Sequence, residues 1–271
     1  MNKFLVVPCV VISAGGMASS ALASDPWADA VVHYDPGSAA GDYTTAPSST
    51  LGAPERFTGE IGGFPAAVNP FNPPWGWDEL LAIGAGGSLT LRFDEPIVDD
   101  PMNPYGLDLI LFSNTGYASD LGYGVTSGST LGGGGVALIE VSQNGEAWTP
   151  LATVLTAQIF PTLGYQDIDD PFSPPAGSVP TDFTLPLDPA FDPSGLSLEQ
   201  IIAAYAGSGG GLGLDLSTTG LGWATYVRIS ALSGTVTIDA VSDVRAVPAP
   251  GAAAAVGAGA LLAARRRRRP S

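Results

Sequence analysis

Period-two alternation constrains this chain more than any other feature. In Ser88–Phe93 (SLTLRF), Leu89, Leu91 and Phe93 fall on one side, and Thr90 and Arg92 on the other. That is the period of a half-buried β-strand, not of a helix. Val136–Ser142 (VALIEVS), Trp223–Ser230 (WATYVRIS) and Thr235–Val244 (TVTIDAVSDV) alternate in the same way, with Ser233-Gly234 as a turn between the last two. Leu107–Phe112 (LDLILF) is apolar on both sides apart from Asp108, the pattern of a central strand covered on two faces. Asn144-Gly145 separates VALIEVS from AWTPL, and this dipeptide between apolar runs is a strong hairpin signal. Thr181–Leu187 (TDFTLPL) reads as a weaker strand ending near Pro186.

The segments between these runs are turn-rich. The 271 residues include 36 Gly and 24 Pro, so the strands must be short and often interrupted. One segment has helical character, Ser197–Gly207: Ser197 is its N-cap, Glu199 and Gln200 lie in its first turn, and Gly207 closes it. Together these patterns imply an all-β fold, an antiparallel β-sandwich with one short helix, over residues 81–246. Residues 24–80 are loop-rich, and Pro70, Pro73 and Pro74 exclude regular structure there. The aromatics Phe64, Phe71, Trp75 and Trp77 are expected to pin that segment onto the sheet. The Gly-rich stretches 131–135 and 207–213 lack the Lys-Ser/Thr of a phosphate loop and read as turns.

Charge is distributed unevenly. All 26 acidic residues lie between Asp25 and Asp243, and the body up to Arg245 holds only four bases, Arg56, Arg92, Arg228 and Arg245. Such a body repels nucleic acid and anionic lipid, and it attracts divalent cations or basic partners. The remaining bases mark the two ends. Lys3 precedes an apolar run from Phe4 to Met17 and then Ala21-Leu22-Ala23, the layout of a signal peptide (residues 1–23) with a helical apolar region and cleavage after Ala23. Cys9 lies inside that segment, so the mature chain is expected to be exported without a disulfide. At the other end, Gly251–Ala264 is a small-apolar run of 14 residues followed by Arg265, Arg266, Arg267, Arg268 and Arg269. As a helix it measures about 21 Å, against about 30 Å of bilayer core. It is a short transmembrane helix, suited to a temporary hold in the inner membrane with the arginines on the cytoplasmic side.

The tail (residues 247–271) resembles a known sorting signal. Val247, Pro248, Ala249, Pro250 and Gly251, then an apolar run and an Arg cluster, are similar to the PEP-CTERM signal, with Ala249 where that motif carries its central Glu. The resemblance implies handling by an exosortase-type sorting enzyme in a Gram-negative-type bacterium that makes exopolysaccharide, and delivery to the cell surface or matrix. The body carries a fainter resemblance. IEVSQNGEAWTPLATV and the closing strands with Arg228-Ile229 look like the hairpin and last strands of discoidin-like, galactose-binding-like jelly rolls. That likeness implies a jelly-roll sandwich and carries over no ligand residues.

Residue types limit the chemistry. His33 is the only histidine, which argues against nucleophilic triads and histidine zinc sites. Carboxylates remain. The run Asp94–Asp108 holds Asp94, Glu95, Asp99, Asp100, Asn103 and Asp108, and Asp167, Asp169 and Asp170 form a second group. Calcium takes six to eight oxygens, many from acidic loops, so Asp94, Asp99, Asp100 and Asn103 are the calcium candidates, with solvated turn-forming acids as the alternative. The expected function is a non-catalytic exported surface or matrix protein that binds polysaccharide and calcium. The alternatives are a carbohydrate-active enzyme using a carboxylate pair and a purely structural coat protein.

Overall fold

A computed structural model describes residues 25–39, 41–119, 125–132, 134–172 and 177–245. The signal segment with Ala21 and Ala23, and the tail from Val247 to Arg269, lie outside the described residues. In chain order the strands begin with β1 (Ala30–Asp35), β2 (Phe57–Thr58), β3 (Ala66–Ala67), β4 (Leu81–Gly84) and β5 (Ser88–Val98). Next come β6 (Leu109–Leu111), β7 (Gly116–Ser119), β8 (Val125–Leu131), β9 (Val136–Ser142) and β10 (Thr149–Leu155). The helix α1 (Leu198–Tyr205) precedes β11 (Leu212–Leu214), β12 (Trp223–Ser233), β13 (Thr235–Ile238) and β14 (Val241–Asp243).

The largest sheet has the order β1-β5-β12-β9-β10, with every neighbouring pair antiparallel. A second sheet, β11-β6-β14, and the ribbon β13-β4 supply the facing strands. Alternation decides which side chains meet. Leu89 and Leu91 of β5, Ile139 and Val141 of β9, and Val227 and Ile229 of β12 are fully buried. They share one cluster with Leu81 and Ile83 of β4, Leu109 and Leu111 of β6, and Val236 and Ile238 of β13. Burying each such side chain contributes about 1.5–3 kcal/mol, and the shared core holds the two layers together as in a β-sandwich. The protein is therefore an all-β fold of antiparallel sheets with one short helix.

β6 is covered on both faces, as its sequence implies. Leu109 and Leu111 point into the main core, while Ile110 and Phe112 pack with Phe183, Val244 and Trp27 on the far side. A third cluster seats α1, whose Leu198, Ile201 and Tyr205 pack on Phe71, Tyr117, Leu163 and Leu187. Ser197 and Gln200 form a reciprocal capping box at its start. Its end falls one residue earlier than expected, at Ala206 in the left-handed region (φ 50°), before Gly207.

Several elements depart from the sequence reading. Thr181–Leu187 is a turn, not a strand: Asp182 Oδ1 accepts from the Thr184 amide and hydroxyl at 2.8 and 2.7 Å, which folds the chain back locally. The Asn144-Gly145 hairpin forms, but its loop runs from Gln143 to Trp148, with Asn144 Oδ1 accepting from the Glu146 and Ala147 amides. Thr235–Val244 is two strands in different sheets, broken at Asp239-Ala240. The turn at Ser233-Gly234 moves the chain from one layer to the other. Gly234 has φ 65°, and a Cβ there would lie 2.5 Å from the Gly134 carbonyl, so only glycine fits. The loop-rich N-terminal segment contributes β1, an edge strand of the largest sheet.

Candidate functional site

Of the calcium candidates, the structure gathers only Asp99 with other carboxylates. Its partners are Asp108 and Asp215, and one oxygen from each lies within 4.8 Å of the others. The fold builds this cluster from three places: the end of β5, the residue before β6, and the cap of the 3-10 turn after β11. Asp108 is fully buried. Its Oδ1 accepts from the Asp100 amide and Asn103 Nδ2, each at 3.0 Å, and its Oδ2 accepts from the Leu216 amide at 2.9 Å. Burial pushes the Asp108 carboxyl above its usual range, while those hydrogen bonds oppose the rise. Asp215 Oδ1 accepts from the Ser217 amide at 2.8 Å. The donors are all oxygens, as a hard divalent cation requires.

The other three candidates do different work. Asp94 lies in an exposed pair with Arg92 at 2.8 Å and does not join the cluster. Asp100 Oδ1 accepts from the Met102 amide, closing the turn before Asn103. Asn103 is buried and offers its amino group to Asp108. In the second acidic group, Asp167 accepts from the Ser178 amide and hydroxyl and the Val179 amide, and these bonds lower its pKa to about 2. It braces a loop. Asp170 Oδ1 likewise accepts from the Phe172 amide.

Three further acids are held toward their neutral forms. Glu55 rises to about 7 through burial and the nearby Glu79, Asp78 and Glu60. Asp239 is fully buried beneath it and is raised well above the carboxylate range by burial and by Glu55; both its oxygens lie 3.3 Å from the Glu55 amide. Asp243, at the end of β14, rises to about 7, chiefly through burial, with Arg245 opposing.

A second feature is aromatic. Of the four aromatics expected to pin residues 64–77 to the sheet, Phe71 is 8% exposed and packs in the cluster around α1, and the other three are more open. Phe64 is 78% exposed, Trp77 44% and Trp75 38%. The turn from Gly59 to Phe64 lies against the Trp75 ring, where a Cβ on Gly62 would come within 2.5 Å of the indole. Tyr43 donates its hydroxyl to the Trp75 backbone carbonyl at 2.6 Å, which ties the tyrosine to this segment. Tyr43 also borders an open groove of about 290 Å³ on the outer side of the β4–β13 ribbon.

On the outer face of the largest sheet, Arg228 bonds Glu140 at 2.7 and 2.8 Å and stacks over Trp148 at 4.1 Å. The Arg-Ile pair of β12 thus lies beside the β9–β10 hairpin. Sequence reasoning missed Asp215 and the groove residues. Asp108 left a signal, a lone carboxylate in an otherwise apolar strand; the groove left none, because Ser and Thr are common in turns and on strand faces. Compared with known protein families and with curated proteins, the chain matches none. Among the described residues no helix is long and apolar enough to cross a membrane.

Proposed function

We propose that this chain is a non-catalytic protein exported through the inner membrane of a Gram-negative-type bacterium. Its PEP-CTERM-like tail delivers it to the cell surface or matrix by way of an exosortase-type enzyme. Its body is a galactose-binding-like jelly roll that binds extracellular polysaccharide. The observation that carries the binding reading is the outward display of Phe64, Trp75 and Trp77 on one short segment, with Tyr43 held against it. Large apolar rings in water cost free energy unless a partner covers them, and flat rings suit the C–H faces of sugars. The calcium part of the reading rests on Asp99, Asp108 and Asp215, where a cation offsets three converging carboxylates on a strongly acidic body.

The test is a glycan array probed with the purified protein, with reducing-sugar release followed in parallel. Binding without release, lost in Trp77→Ala, is the expected result. Release that disappears in Glu55→Gln would make the protein an enzyme instead. Binding to no glycan would remove the polysaccharide reading.

A further inference from the structure

The groove beside Tyr43 has a definite chemistry. Its floor is the outer face of the β4–β13 ribbon, where Ala82, Thr235 and Thr237 point away from the core. Leu81, Ile83, Val236 and Ile238, the alternate residues of the same strands, face inward. One wall is the loop after β1 with Ser38 and Tyr43, and the other is Asn114, after β6. Two contacts fix those walls. Ser113 Oγ donates to the Thr237 carbonyl at 2.6 Å, holding the Asn114 side against β13. Gly84 lets the Ser38 loop lie close, since a Cβ there would fall 2.0 Å from the Ala39 amide.

Among the described residues no charged side chain lines this groove. Among the described residues the hydroxyls of Ser38, Thr235 and Thr237 have no protein partner, and Asn114 Oδ1 is buried with no donor reaching it. Hydroxyl and amide groups each donate or accept, as sugar hydroxyls do. The Tyr43 hydroxyl is already engaged by Trp75, so its half-exposed ring is presented in a fixed orientation. A volume of about 290 Å³ is at the small end for a ligand site and suits a ring-sized unit.

We propose that this groove is the sugar subsite of the protein, that it takes one residue of a neutral polysaccharide, and that the chain of that glycan continues across Tyr43 toward Trp75. The inference rests on the polysaccharide reading above and adds to it the place and the charge class of the ligand. Uronate, sulfate or phosphate groups would meet no cation in the groove and would face the field of 26 acidic residues.

The test uses the full chain and titration calorimetry with cellohexaose, dextran and a β-galactan as neutral probes and alginate as the anionic one. Thr235→Trp fills the groove from an exposed position, and Thr235→Val with Thr237→Val removes two hydroxyls at nearly constant volume. The expected result is binding of at least one neutral probe, no binding of alginate, and affinity about tenfold weaker or worse in both variants at unchanged melting temperature. A neutral probe that binds wild type and both groove variants alike, but not Trp77→Ala, would overturn the groove assignment and leave the polysaccharide reading standing. Preferential binding of alginate would overturn the charge class. No binding of any probe by the wild-type protein would overturn both readings.

Discussion

Raising the pH from 5 to 8 is expected to destabilise this protein. The cause is Glu55, Asp239 and Asp243. Each is pushed upward by burial, Glu55 and Asp243 to about 7 from ordinary values of 4.5 and 3.8. In the unfolded chain these groups are ionised above pH 5. In the folded chain they still hold protons there, so the folded state binds more protons and stability falls as pH rises through 7. One pKa unit corresponds to about 1.4 kcal/mol. Both Glu55 and Asp243 are partly open to solvent, so roughly half of the nominal effect survives screening. From pH 5 to the folded pKa near 7 each group spans about two units, which leaves about 1.4 kcal/mol for each, or about 3 kcal/mol for the pair. For a domain of this size the melting temperature should drop by about 6–12 °C. Calorimetry in EDTA across pH 5–8 reads this directly, and Glu55→Gln should make the slope shallower. A melting temperature that is flat or rises over that window would refute the reasoning.

Other substitutions test separate parts of the structure. Asp108→Ala orphans the Asp100 and Leu216 amides and Asn103 Nδ2 and should cost about 3 kcal/mol or more in urea unfolding. If calcium binds at Asp99, Asp108 and Asp215, the ion at a hundredfold excess over its dissociation constant should stabilise the wild-type protein by about 2.7 kcal/mol, and Asp215→Asn should reduce that gain. Arg228→Ala removes the Glu140 pair and the stack on Trp148 and should cost about 1–2 kcal/mol, with Arg228→Lys recovering only part by the same assay. Gly84→Ala drives a methyl into the Ala39 backbone and should lower the melting temperature while opening the groove wall.

The layered β architecture was legible because one face of each long strand is buried, and burial writes a period of two into the sequence. Ser88–Phe93, Val136–Ser142 and Trp223–Ser230 all carry that mark, and LDLILF shows the two-sided version. Alternation says which face is inside but not which sheet a strand joins. Thr235–Val244 therefore read as one strand, and its break at the fully buried Asp239 was invisible. β1 was missed because none of its residues is fully buried, leaving little apolar contrast. The Asp99–Asp108–Asp215 cluster joins residues more than a hundred positions apart, and only topology brings Asp215 to the others. The exposed aromatics failed for a related reason. Sequence shows that Phe64, Trp75 and Trp77 are large and apolar, while whether anything covers them depends on how the turns between the prolines pack.

Export with a sorting tail is the centre of the proposed role, and cell fractionation combined with intact mass tests it most directly. The expected species lies outside the inner membrane and begins at Ser24. A full-length chain, starting at Met1 and ending at Ser271, found soluble in the cytosol would contradict it.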